Sequence, residues 1–148
     1  MVESVTPNPV ALVMIIWTKE FEVGSEMIDQ QHRVLIEKIN LLENLLHTTN
    51  FTQEQVQFAL DLVDYLEAYA NIHFNHEERC MEIYHCPAHA RNQQEHERLR
   101  EFVRDYKKRC ENEGFIVEPL RDLHGFMHSW IQQHILKVDI KLRPCIQK

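Results

Sequence analysis

The chain has 148 residues, with 16 Lys and Arg against 23 Asp and Glu, a formal charge of −7 with histidine neutral. That length fits one domain with a core large enough to fold without disulfides, and an acidic chain with no basic block is expected to bind neither nucleic acid nor an anionic membrane surface. Three glycines and five prolines are too few turn residues for a many-stranded sandwich or barrel, whereas ten histidines among so many carboxylates point toward metal.

Residues 1–24 hold Pro7, Pro9 and Gly24 and show no helical period, so they are expected to form an arm pinned to the body by Trp17 and Phe21. Within the arm, Ala11 to Trp17 is the longest apolar run, seven residues where a bilayer span needs about 20. Only the acidic Glu3 precedes it among charged residues, so neither a membrane span nor a secretory leader is expected, and a cytoplasmic location is.

Four long helical patterns follow. The first opens at Ser25, a good N-cap, and runs to His47 with Ile28, His32, Leu35, Ile39, Leu42 and Leu46 at alternating steps of four and three. Thr52 with Gln55 three residues on is a capping box. The second helix then carries the stripe Val56, Ala59, Val63, Leu66, Ala70, His73, Glu77, Cys80, Tyr84 until Cys86-Pro87 ends it. The third runs from Ala88 to Glu113 and stops at Gly114, with His89, Asn92, His96, Leu99, Val103, Tyr106 and Cys110 on one face. The fourth is expected from Pro119 to about Leu142, before Pro144, with Leu120, Leu123, Met127, Ile131, His134 and Val138 inward. Short connections between long helices favour antiparallel neighbours, so the expected fold is all-α: an up-down-up-down four-helix bundle over residues 25–142. Residues 143–148 are read as a short tail or the start of a linker. Cys80, Cys86, Cys110 and Cys145 form no C-x-x-C pair and match no zinc framework, so reduced thiols are expected.

The informative positions are those where polar residues interrupt the seams. His32, His73 with Glu77, Asn92 with His96, and His134 each occupy a slot suited to Leu or Ile. Burying an unpaired imidazole or carboxylate costs several kcal/mol unless it is paired or binds metal. Along an antiparallel bundle these residues fall at helix start, end, start and end, which is one layer. Imidazoles and carboxylates without thiolate suit Fe, Mn or Zn, and carboxylates able to bridge within an imidazole-rich set favour two irons.

Three segments resemble a bacterial hemerythrin domain: Trp17 through His32 (WTKEFEVGSEMIDQQH), His73 to Met81 (HFNHEERCM) and Trp130 to Asp139 (WIQQHILKVD). With His96 they reach across nearly the whole chain. The resemblance implies two iron ions with an oxo or hydroxo bridge and carboxylate bridges. It places His32 and His73 on one iron, His96 and His134 on the other, and Glu77 and Asp139 between them. Asp139 enters only through this match: it lies five residues after His134, about 140° round an ideal helix, and its reach calls for a local helix distortion.

The family pattern on the third helix is H-x-x-x-H, and Asn92 stands where its first histidine belongs. His89 is seven residues from His96, about 10.5 Å along a helix, too far to share an iron without distortion. It is read as lying outside the site, as are His47, His76, His85, His124 and His128. His124 and His128 are placed on the surface. Phe74, Met81, Trp130 and Ile131 flank the inferred ligands. Core packing accounts for all four, and with Asn92 they are also the candidates for a ligand pocket or the layer behind the ligands, Trp130 and Ile131 being the expected walls and Asn92 standing at the open coordination position.

The expected function is binding of, or reaction with, O2 or another small ligand. The first reading is an oxygen- or redox-sensing input domain, not itself an enzyme, feeding a downstream output such as a diguanylate cyclase or chemoreceptor. The alternatives are a stand-alone oxygen carrier and a di-iron oxidase, peroxidase or iron-handling protein.

Overall fold

A computed structural model describes residues 14–147; the expectations for residues 1–13 lie outside the described residues. Four long helices, α1 (Glu26–Leu46), α2 (Gln53–Ile83), α3 (His89–Glu113) and α4 (Val117–Lys137), are followed by a 3-10 turn at Asp139–Lys141 and a short helix α5 (Leu142–Ile146). Each long helix packs on its sequence neighbours and α4 closes onto α1, the arrangement of an up-down-up-down bundle. No strand occurs among the described residues, and none of their helices is long and apolar enough to cross a membrane.

The helix ends follow local chemistry. Ser25 Oγ accepts from the Ile28 N–H at 3.4 Å. Thr52 Oγ1 accepts from the Gln55 N–H at 3.2 Å while Gln55 Oε1 accepts from the Thr52 N–H at 2.9 Å, a complete capping box. α2 ends in a Schellman motif: the Cys86 N–H donates to the Met81 carbonyl at 2.8 Å, and His85, at φ 51, occupies the left-handed position. That turn brings Cys86 back against Met81 and leaves Tyr84, expected on the inward stripe, exposed. Gly114, at φ 77, caps α3.

The fourth helix differs from expectation at both ends. It begins at Val117, so that Pro119 sits at its third position rather than its first. Any of the first four N–H groups of a helix lacks an internal partner, so proline is tolerated there. The helix stops at Lys137, five residues early, where Val138 turns to φ −115, ψ −57. The ring of Pro144 would clash with the residue 140 carbonyl in a continuous helix, and the chain answers with the 3-10 turn and a restart as α5. Residues 142–146, placed mostly in the tail from sequence, are thus helical, and Leu142 is fully buried.

Two apolar clusters fill the bundle. The larger is built on Leu35, Ile39, Leu66, Leu99, Leu123 and Ile131 with their neighbours. The smaller gathers Val23, Ile28, Met81, Cys86, Val138 and Leu142. Along α1, Ile28 belongs to the small cluster, Leu35 to the large one, and the buried His32 lies between them. The antiparallel α2 (Phe74, Glu77, Met81) and α4 with its C-cap (Ile131, His134, Val138) run through the same three layers in reverse. A buried polar slab therefore separates two dry regions.

The described part of the arm closes one side. The backbone N–H and C=O of Ile15 pair with the Asn40 amide, both at 2.9 Å, and Trp17 and Phe21 rings meet at 5.4 Å. Phe21 is buried, and Arg33 lies 4.7 Å over the Trp17 ring. His124, expected on the surface, is only 3% exposed. The buried face of α4 takes Leu120, Leu123, His124, Met127, Trp130 and Ile131, a stripe wider than a two-position seam.

Candidate metal centre

All six residues expected as metal ligands meet in the polar slab. α1 supplies His32, α2 His73 and Glu77 one turn apart, α3 His96, α4 His134, and the 3-10 turn Asp139. Their donor atoms fall into two groups, His32, His73, Glu77 and Asp139, and Glu77, His96, His134 and Asp139, with each group's atoms within 4.8 Å of one another.

The two carboxylates divide their oxygens between the groups. Glu77 Oε2 lies 3.2 Å from His32 Nε2 and 3.3 Å from His73 Nε2, while its Oε1 lies 3.1 Å from His96 Nε2. Asp139 Oδ2 lies 3.1 Å from His32 Nε2, and its Oδ1 lies 2.9 Å from His134 Nε2. The end of α4 at Lys137 makes this possible, because Asp139 sits in a 3-10 turn and not about 140° round a continuing helix.

Apart from the His96–Glu77 pair, which is a hydrogen bond, these are ion-pair distances without hydrogen-bond directions. His32 Nε2, Glu77 Oε2 and both Asp139 oxygens are buried with no hydrogen-bond partner, although they crowd one another. His96 Nε2 and His134 Nε2 approach to 3.1 Å, so either one donates to the other or both turn lone pairs toward one point. Lone pairs that converge on common points rather than on donors fit bound cations.

Charge tells the same story. Burial pushes the His32 and His134 imidazoles down, but Asp139 and Glu77 outweigh it and lift them to about 9 and about 10. Burial lowers His73, and the neighbouring His32 adds to that against the pull of Glu77. Burial pushes Glu77 up, yet His73, His134 and His32 hold it well below the carboxylate range. Without metal, protons occupy positions that a cation would take.

An outer layer orients the imidazoles. Gln31 Oε1 accepts from His73 Nδ1 at 2.8 Å, Glu78 Oε2 from His96 Nδ1 at 3.2 Å, and Glu95 Oε2 from His134 Nδ1 at 3.3 Å. A proton held on Nδ1 leaves the Nε2 lone pair facing inward. The Gln31 amide N–H2 group donates onward to His76 Nδ1 at 2.7 Å. Sequence reading did not single out these partners. Each lies next to a site residue in the chain, about 100° round the helix, and so faces the adjoining helix rather than the bundle axis. That adjacency is the signal that could have found them.

Asn92 is fully buried one turn before His96, and neither its Oδ1 nor its Nδ2 has a partner. His89 is half-buried and joins neither donor group; it lines a surface groove with Asn75, Arg79 and Gln93.

An apolar cavity of about 30 Å³ lies in the large cluster next to the metal layer, walled by all four long helices, with Leu35, Ala70, Phe74, Leu99, Trp130 and Ile131 among its residues. Phe74 stacks on the His96 ring (3.8 Å, 12°) and Trp130 on the His134 ring (4.4 Å, 10°). Asn71 and Arg100 also line the cavity, bonded Nε to Oδ1 at 2.8 Å. Met81, expected near the pocket, does not line it; it belongs to the small cluster on the far side of the slab.

Fold and site together define a four-helix bundle with a buried histidine–carboxylate centre for two metal ions. The chain belongs to the hemerythrin HHE cation-binding domain family, whose model matches residues 23–146. It is similar to the bacteriohemerythrin of Clostridium acetobutylicum, 29% identical over 85% of this chain and 96% of that protein. It is also similar to those of Methylococcus capsulatus (28%, over 91% and 98%) and Stenotrophomonas maltophilia (27%, over 84% and 76%). The cofactor of this class is a di-iron centre, and the two donor groups fit it.

Proposed function

We propose that His32 and His73 hold one iron, that His96 and His134 hold the other, and that Glu77 and Asp139 bridge them. In this reading the domain is a cytoplasmic sensor of O2, another small ligand or redox state, passing its state to a signalling partner. When bound, the di-iron centre supplies O2 binding and electron transfer. The chain's own residues do the rest. Gln31, Glu78 and Glu95 fix the imidazole protons on Nδ1. Phe74 and Trp130 clamp His96 and His134, and the apolar cavity admits a small uncharged molecule while excluding bulk water.

Asn92 carries the reading. A buried amide with both ends unpaired is costly, about 1–3 kcal/mol, and it replaces an imidazole in the family pattern. An iron held by His96 and His134 would then have one imidazole fewer than the family pattern supplies, and could take water or an added ligand. A carrier needs a protected site that releases O2 unchanged; an open site oxidises and reports. The test is anaerobic reconstitution with ferrous iron followed by air, watching the near-UV and visible bands. Conversion to the oxidised spectrum without a releasable adduct is expected. A long-lived adduct that gives up O2 under vacuum would contradict sensing by oxidation.

The stand-alone carrier is the second reading. It draws on relatives matched over 96% and 98% of their own lengths, which therefore contain little beyond this domain.

A further inference from the structure

The small apolar cluster below the metal centre is built around sulfur. Cys86 is buried in it, at the turn that closes α2, while Cys80 and the half-buried Cys145 of α5 pack against it. Cys86 Sγ and Cys145 Sγ both donate to one acceptor, the Lys141 carbonyl oxygen, each at 3.5 Å. His85, at φ 51, sets the turn that directs Cys86 inward, and such a conformation in a non-glycine residue is uncommon. The three sulfurs do not form a metal site: the only donor groups that converge among the described residues are the two histidine–carboxylate sets.

We propose that Cys86 and Cys145 are a reversible disulfide pair that ties the α2–α3 turn to α5, a thiol response to oxidants separate from the metal centre. The oxidant class is a low-molecular-weight disulfide. The more accessible Cys145 loses its proton to solvent, and its thiolate attacks one sulfur of that disulfide; the S–S bond breaks and one small thiolate leaves. Cys86, deprotonated in turn, attacks the Cys145 sulfur of the mixed disulfide and expels the small molecule's second half. The two cysteines are oxidised by two electrons, and the small disulfide is reduced to two thiols, which take up the two protons. A dithiol reductant reverses the sequence. Burial and the contact with Cys145 push the Cys86 thiol up, so the second step is the slow one at neutral pH.

The bond would act where the site is most dependent on irregular backbone. Lys141, the shared acceptor, ends the 3-10 turn that begins with Asp139. A staple between residues 86 and 145 holds α5 against the α2–α3 turn and restrains the turn that presents Asp139.

The experiment treats the full chain, iron-loaded and chelator-stripped, with oxidised glutathione, blocks free thiols and maps peptides without reductant. The expected product is a single intramolecular link between Cys86 and Cys145 in both forms, reversed by dithiothreitol, with Tm higher by about 10 °C. Cys145→Ser and Cys86→Ala abolish the link; Cys80→Ser and Cys110→Ser keep it. A glutathione adduct that persists on Cys145, a Cys80–Cys86 link, an intermolecular dimer, or no link at all would overturn the proposal. Because the stripped protein is tested too, failure here is separate from failure of the di-iron reading.

Discussion

On one side of Glu77 and Asp139 stand His32 and His73; on the other stand His96 and His134, and the surroundings of the two pairs differ. His73 leans on a neutral amide, Gln31, and His32 Nδ1 has no partner. His96 and His134 each lean on a carboxylate, Glu78 and Glu95. His32 and His73 meet edge to face at 4.4 Å, whereas His96 and His134 each lie under an aromatic ring that walls the apolar cavity. A carboxylate behind an imidazole makes it more basic than an amide does. The half on the helix that carries Asn92 thus holds the two more strongly donating imidazoles. One bundle thus gives the two sides of its shared carboxylates different surroundings.

The largest effect is expected at the residue both halves share. Glu77→Ala removes an oxygen from each group, and iron content should fall from two per chain to below one, read by elemental analysis. Retention of two irons would mean that the halves do not depend on that carboxylate. The outer layer ranks next. Glu95→Ala and Glu78→Ala should weaken metal binding by about 10- to 100-fold in chelator competition, and Gln31→Ala by less. The reverse order would remove the asymmetry.

Proton release samples each half through one histidine. In the metal-free protein His32, at about 9, and His134, at about 10, are protonated at pH 7. Ligation needs neutral imidazole, so metal loading at pH 7 should release about two protons, seen in weakly buffered solution, and affinity should fall as pH falls. The sign for the metal-free fold is opposite. Both groups have raised folded values, so their stabilisation is full below the unfolded value near 6.5 and is lost as pH rises through 9 to 10.

Outside both halves, burial and the nearby His128 push His124 down to about 4. The folded state keeps it neutral, so stability should drop by about 2 kcal/mol between pH 7 and pH 5. His124→Phe should flatten that slope in thermal melts without changing iron content.

Much of the centre was legible because helical period is a strong signal. His32, His73, Glu77, His96 and His134 stood in slots meant for apolar side chains, and the structure buries all five. Asp139 was not legible from period, since its aim depends on α4 ending at Lys137. Only the motif match pointed to it. Gln31, Glu78 and Glu95 escaped because they face neighbouring helices. His124 was misplaced because α4 buries a wider face than a strict seam. The meeting of Cys86 and Cys145 depends on tertiary packing across two helices, which spacing in the chain does not encode.

The central claim is that Asn92 leaves the His96–His134 half open, and its most direct test is a comparison of air oxidation. Diferrous wild type and Asn92→His, loaded to equal iron content, are mixed with air-saturated buffer at one pH and followed by stopped-flow absorbance. Wild type is expected to oxidise at least about tenfold faster, equivalent to about 1.4 kcal/mol in barrier. Equal rates in the two proteins would contradict it.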